Sequence, residues 1–417
     1  MTKHDIEIMS PVGSYEALMA AIQGGADAVY FGVGQLNMRA KSSNNFSIDD
    51  LIQITDICKE NKVKTYLTVN TIIFSHELEV MKEIVDAAKK YGVTAIIASD
   101  MSVIGYASSI GMEIHISTQS NITNIEAVKF YAKFADVMVT ARELSLNQVA
   151  DITRTIETEQ IKGPNGDLVK IEVFAHGALC MAVSGKCYLS LDNLNASANR
   201  GACLQICRRP YHVTDKDGGI ELEVDNEYIM SPKDLKTIGF LDKILKAGVK
   251  VLKIEGRGRS PEYVKTVTQV YREAADAYFD GTYTEENIER WTEKLKTVYN
   301  RGFWDGYYLG RKTGEWTKSH GSQATKKKIY VGKITNYFAN LKVAEVKIET
   351  HSLVLGDEIH IIGPTTGVYE DVIHEIRVEL QAVDEAVKGI SCSIPVNEIV
   401  RRQDKLYKIV DTVEDDF

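Results

Sequence analysis

Four of the six cysteines, Cys180, Cys187, Cys203 and Cys207, fall within residues 180–207 of a 417-residue chain. Six, fifteen and three residues separate them in turn. Four thiolates can close around a zinc ion or hold an iron–sulfur cluster, and sulfur softness suits both. Structural zinc sites usually carry paired Cys-x2-Cys knuckles, and this spacing has none, which favours an iron–sulfur cluster. A third reading makes Cys180 a nucleophile beside His176, but that leaves three cysteines unexplained. Cys58 and Cys392 stand alone on apolar faces, where core packing is their default.

Other catalytic signals are weak. His76-Glu77 and His374-Glu375 lack the second histidine of a zinc protease, and neither a G-x-S-x-G elbow nor a Walker loop occurs. GRGRS at 256–260 is a basic turn suited to an anionic group. The formal net charge of −9 argues against indiscriminate nucleic-acid binding. Residues 176–211 nevertheless carry Lys186, Arg200, Arg208 and Arg209 against only Asp192. Lys326, Lys327 and Lys328 form a second basic run, and solvated surface charge is the bland explanation of either.

With 44% hydrophobic and 26% charged residues, the composition is that of an ordinary globular protein. No apolar run approaches membrane-spanning length, and Met1 to Gly13 lacks the basic-then-apolar pattern of a signal peptide. A cytoplasmic protein without membrane contact is therefore expected, where clustered cysteines are ligands or catalytic thiols rather than disulfides.

Eight short apolar runs would have to position these groups: 6–9, 28–31, 64–69, 95–98, 113–116, 136–140, 171–175 and 250–254. Amphipathic stretches lie between most of them, as in SIDDLIQITDICKEN, opened by Ser47 and Asp50 as a capping box. Ser75 is the expected cap of the next helix, and Gly92 and Gly111 punctuate helix ends. Eight βα units predict an α/β fold, a (β/α)8 TIM-like barrel, with a distorted barrel as the alternative because the seventh gap is long. The C-terminal strand ends then bring Pro11, Gly32, Asn70, Asp100, Gln119, Arg142, Glu143, His176, Glu255 and Arg257 to the active face. The expected domains are a barrel with a cysteine-rich insertion at 1–280, a helix and linker at 281–328, and a small all-β barrel at 329–417.

Several long stretches resemble a known family. IEVFAHGALCMAVSGKCYLS, SPVGSYEALMAAIQGGADAVYFG, NRGACLQICRRPY, YIMSPKDL, KIEGRGRSPEYV and NRGFWDGYYLG together resemble the collagenase-like peptidase family of unassigned catalytic type. Some members of that family are iron–sulfur proteins of oxygen-independent hydroxylation, and this chain looks most like the branch that hydroxylates the tRNA wobble uridine with prephenate. The resemblance implies Cys180, Cys187, Cys203 and Cys207 as ligands of a 4Fe–4S cluster. Prephenate carries two carboxylates, so Arg142, Arg257 and Arg39 at the rim are expected to bind it. His176 and Glu255 are candidates for proton transfer, and Asn70 and Gln119 for hydrogen bonds to base or cosubstrate. Arg200, Arg208 and Arg209 are expected to meet tRNA phosphates. The alternatives are a peptidase and a zinc-stabilised RNA-binding scaffold; a protein partner or oligomer stays open.

Overall fold

A computed structural model describes the chain except residues 1, 42–44, 184–185, 190, 192–195, 212–227, 311–313, 320 and 413–417, so Asp192 lies outside the described residues. The eight apolar runs form strands β1 (Glu7–Pro11), β2 (Ala28–Phe31), β3 (Lys64–Val69), β4 (Ala95–Ala98), β5 (Glu113–Ile116), β6 (Val137–Val139), β7 (Lys170–Ala178) and, past one further strand β8 (Asp234–Lys236), β9 (Val251–Ile254). Neighbours pair in parallel from β1 to β7, and β9 pairs with both β1 and β7, which closes the barrel. Burial on both faces explains why these strands read as continuous apolar runs rather than as alternation.

Helices α1 (Tyr15–Gln23), α2 (Asp50–Glu60), α3 (Leu78–Lys90), α4 (Met101–Ser109), α5 (Ile125–Tyr131), α6 (Leu146–Thr158), α7 (Leu241–Lys246) and α8 (Pro261–Asp280) surround the barrel. Ser47 and Asp50 form the expected box: the Ser47 N–H donates to Asp50 Oδ2 at 2.7 Å and the Asp50 N–H to Ser47 Oγ at 3.3 Å. Ser75 does not cap α3. It sits in a 3-10 turn, and Glu77 takes the capping part by accepting from the Phe74 N–H at 2.8 Å.

The barrel is splayed at β7. Its first half pairs with β9, but beyond a bulge between Phe174 and His176 the residues His176–Ala178 turn to pair antiparallel with β8. Gly177, at φ +105°, crosses so close to β9 that a Cβ would stand 2.4 Å from the Glu255 carbonyl oxygen. The cysteine insertion leaves from this open edge.

Residues 281–328 are not a linker. After α9 (Glu285–Lys296), β10 (Phe303–Trp304) pairs with β8, and the Tyr308 hydroxyl donates to the Phe174 carbonyl at 2.9 Å. Trp291, Arg301, Trp304 and Tyr308 are buried, so their aromatic area seals the flank that β7 leaves open.

The C-terminal strand β11 (Lys326–Phe338) begins three residues before the expected boundary. Its basic run is no open patch: Lys326 pairs with Glu358, and Lys328 Nζ with Glu262 at 2.9 Å. Strands β12 (Val343–Ile348), β13 (Ser352–Val354), β14 (Glu358–Gly363), β15 (Gly367–Val372), β16 (Ile376–Val378), β17 (Gln381–Val383), β18 (Glu385–Val387), β19 (Ser391–Pro395) and β20 (Lys405–Asp411) complete an all-β antiparallel region. The described pairings run β15-β14-β20-β11-β12-β19-β16-β17 without returning to the start, so this sheet curls rather than closing by hydrogen bonds. Gln23 fastens it to α1, donating to the Thr366 carbonyl and accepting from the Val368 N–H, both at 2.9 Å.

Candidate active site

At the C-terminal ends of the barrel strands lies a cavity of about 980 Å3. It collects Asn70, Gln119, Arg142, Glu255, Arg257 and Arg39 from the barrel rim, and all four clustered cysteines from the insertion. Residues separated by more than 200 positions thus meet because the strand ends converge and the insertion folds back over them.

The cavity wall is strongly cationic. Arg257, 7% exposed, donates through Nη1 to Asn37 Oδ1 at 3.1 Å and Thr68 Oγ1 at 2.9 Å. Burial pulls its guanidinium down to about 10, against the opposing pull of Tyr30 and the Glu255 charge. Gly32 leaves room for it, since a Cβ there would lie 2.6 Å from Arg257 Nη1. Arg142 lies flat over the Phe174 ring at 3.8 Å and donates to the Ala178 carbonyl at 3.2 Å, while its buried Nε has no partner. Neither arginine has a carboxylate within ion-pair distance among the described residues.

Glu255 is a fixed anion. Burial alone would raise its carboxyl, but Arg39, Arg142 and Arg257 outweigh that and hold it at about 2. Arg39 Nη2 bonds it at 2.8 Å and the Tyr30 hydroxyl at 3.3 Å. At neutral pH it has no proton to give, so its part is to anchor Arg39. Below it, Lys253 and Glu172 form a buried ion pair at 2.7 Å, with Lys253 4.7 Å from the Tyr30 ring centroid. Asn70 donates to Ser117 Oγ at 3.2 Å and Gln119 Oε1 at 3.3 Å, leaving the Gln119 amide NH2 without a described partner.

Cys180 opens to the cavity, and Cys187, Cys203 and Cys207 are half-buried. Burial raises the thiols of Cys180 and Cys207, neighbouring cysteines add to it, and Arg142 and Arg208 respectively act against it. Among the described residues no three His, Cys, Asp or Glu side chains converge as ligands of one ion would. Tetrahedral zinc needs all four sulfurs about 2.3 Å from a single point, whereas a 4Fe–4S cluster takes each thiolate at a different iron. Four thiols spread around one cavity therefore fit the cluster better than the ion.

Three expected placements differ. His176 does not line the cavity: past the β7 bulge its ring packs against Tyr263, Tyr271 and Phe303, 1% exposed, and burial lowers it to about 3. It has neither the position nor the proton for catalysis there. Arg200 is held by Glu77, by the Ile72 carbonyl and by stacking 3.9 Å over Phe74. Arg208 lines the cavity, but it braces the insertion, donating to the Leu179 and Pro232 carbonyls and at 3.1 Å to Ser231 Oγ. Of the three arginines expected to meet RNA, Arg209 alone is exposed. Asp100 caps α4 through Ser102 N–H at 2.9 Å, and Glu143 is exposed.

Sequence reasoning passed over Tyr30, Thr68, Lys253, Glu172 and Gln205. A signal existed for two of them. Glu172 in IEVFA and Lys253 in KVLKI are lone charges inside apolar strands, which a closed barrel can only turn inward against each other.

A closed (β/α)8 barrel whose C-terminal face gathers thiols and unpaired arginines defines a barrel of the enzymatic class. Residues 13–318 match the model of peptidase family U32, and the chain belongs to that family. It is 60% identical over 408 residues to the collagenase of Porphyromonas gingivalis, covering 98% of this chain and 99% of that one. It is 31% identical over 367 residues to tRNA hydroxylation protein P1 of Bacillus subtilis, covering 86% of this chain and 83% of that protein. Similarity to the 23S rRNA 5-hydroxycytidine C2501 synthase of Escherichia coli is 33% over 325 residues, covering 76% of this chain and 47% of that one. No described helix is long and apolar enough to cross a membrane.

Proposed function

We propose that this protein is a tRNA-modifying enzyme that hydroxylates the wobble uridine at C5 with prephenate as cosubstrate, working in the cytoplasm. In this reading Cys180, Cys187, Cys203 and Cys207 hold a 4Fe–4S cluster. The observation that carries it is the meeting of four thiols and two carboxylate-free guanidiniums in one cavity. A tetrathiolate cluster is an anion, and prephenate is a dicarboxylate; both suit a wall with this excess of positive charge.

When bound, the cluster supplies one-electron transfer. The chain's own groups do the positioning. Arg142 and Arg257 clamp the two carboxylates; Asn70 and the free Gln119 amide hydrogen-bond the base or the cosubstrate. Glu255 keeps Arg39 oriented at the wall, and the cavity floor of Tyr30 and Phe174 excludes water from beneath the base. Arg209, exposed beside Cys207, is the residue left to meet an RNA phosphate.

The collagenase relative favours a second reading, peptidase activity. Peptide hydrolysis needs an activated nucleophile or a metal-bound water. Cys180 has no histidine partner at the cavity, since His176 packs elsewhere. The test is mass spectrometry of tRNA incubated with anaerobically purified protein and prephenate. Gain of one oxygen atom on the wobble uridine supports the hydroxylase. Unmodified tRNA, with cleavage of denatured collagen that survives loss of all four cysteines, replaces it by the peptidase.

A further inference from the structure

The turn at residues 256–260 has more basic and backbone donor capacity than a dicarboxylate clamp uses. It closes through the Arg259 N–H, which donates to the Gly256 carbonyl at 2.8 Å, and it leads straight into α8. Against it lies a second pocket of about 420 Å3, lined by Arg39, Arg257, Arg259, Glu255, Gln205 and the backbone of Gly256 and Gly258. Three guanidiniums face this space against one carboxylate, and that carboxylate is already bonded to Arg39.

The other two charges are weakly compensated. Arg257 is 7% exposed, and its printed partners are the neutral oxygens of Asn37 and Thr68. Arg259 stands 3.9 Å from its nearest carboxylate, Asp234, which Arg301 approaches more closely at 3.4 Å. Stacking 3.6 Å over the Tyr299 ring fixes the plane of the Arg259 guanidinium. Gln205, between two of the clustered cysteines, is held at φ 51° and ψ 35°, and its carboxamide has no partner among the described residues. The 20-residue α8 starts beside the pocket, and its N-cap Ser260 makes no side-chain capping bond. Its positive end adds to the same field.

We propose that this pocket is a phosphate subsite. One carboxylate is satisfied by a single guanidinium fork. Three forks, a free amide and an uncapped helix start match the several oxygens and higher charge of a phosphate. The pocket shares Arg39, Ala178, Gln205, Glu255 and Arg257 with the thiol cavity, so an occupant adjoins whatever group fills that cavity. The same chemistry accepts the phosphate of a nucleotide with its base next door or a free phosphate ion. The nucleotide version rests on the RNA reading above; phosphate binding itself does not.

The test is calorimetric titration of the full-length, anaerobically purified protein with inorganic phosphate, uridine and uridine 5′-monophosphate at fixed ionic strength. The monophosphate is expected to bind about tenfold or more tightly than uridine, and inorganic phosphate to displace it. Arg259→Gln should erase that advantage, and Arg259→Lys should keep part of it. A monophosphate tighter than both other ligands makes a nucleotide the source; inorganic phosphate binding as tightly makes it the free ion, and either supports the subsite. Equal binding of uridine and its monophosphate in the wild-type protein, without phosphate competition, overturns it. So does an Arg259→Gln protein with unchanged melting temperature that keeps the advantage. Should that variant not fold, the wild-type competition decides alone. Loss of tRNA hydroxylation with phosphate binding intact strikes only the hydroxylase reading.

Discussion

The two ends of the barrel treat charge in opposite ways. At the N-terminal end Glu7 is bonded by Lys64 at 2.7 Å and by the Tyr66 hydroxyl at 2.8 Å, and Asp27 by Arg272 at 2.8 Å. At the C-terminal end Arg142 and Arg257 stay without a carboxylate, and Arg39, Arg142 and Arg257 together press on a single one, Glu255. Charges at the bottom neutralise one another and hold strands together. Charges at the top are left for something that binds, at some cost in stability.

The contrast can be broken in several places. The largest effect is expected for Cys180→Ser: metal analysis of anaerobic protein should fall from about four irons and four sulfides per chain to almost none. Iron that stays would remove the cluster from this cavity.

Next comes the floor. Glu172→Gln leaves the Lys253 ammonium buried with no counter-charge, and denaturant unfolding should show a loss of about 3–5 kcal/mol. A loss below about 1 kcal/mol would mean water already reaches that pair.

Glu255 gives a pH signature. Its carboxyl lies at about 2, below the ordinary 4.5, so the stabilisation is complete above the ordinary value and disappears as pH falls through about 2. That slope is worth on the order of 3 kcal/mol, and Glu255→Gln should lack it. Parallel acid unfolding curves for the two proteins would deny the carboxylate its anchoring part.

A smaller pair of effects sharpens the comparison directly. Arg142→Gln should weaken binding of a small dicarboxylate about tenfold while shifting stability by less than about 1 kcal/mol, because no ion pair is broken. Glu7→Gln at the other end should cost about 1 kcal/mol or less, the partner Lys64 being half exposed, and should leave dicarboxylate binding alone. Titration and thermal melting of both variants distinguish the ends; a matching loss of binding in Glu7→Gln would collapse the contrast.

Much of the site was legible in the primary structure. Strand ends, read from apolar runs, brought Asn70, Gln119, Arg142, Glu255 and Arg257 into one cavity, because a closed parallel barrel leaves those ends nowhere else to go. His176 was misread for a local reason: one bulge in β7 turns its side chain outward against α8, and a bulge has no signature in a run of apolar residues. Arg200 and Arg208 were misread because a basic residue next to cysteines looks the same whether it faces solvent or a carbonyl. Residues 281–328 read as a linker because aromatic anchors separated by glycines carry no period.

The sequence by itself determined the number of strands, the parallel barrel, the all-β C-terminal region and the clustering of thiols. Those follow from periodicity and composition, which act over a few residues. Tertiary structure alone decided which charges are neutralised and which are left waiting. Pairing Lys253 with Glu172 or Arg200 with Glu77, while sparing Arg142, depends on distances of a few ångströms between residues far apart in the chain, and charge compensation is felt only at that range.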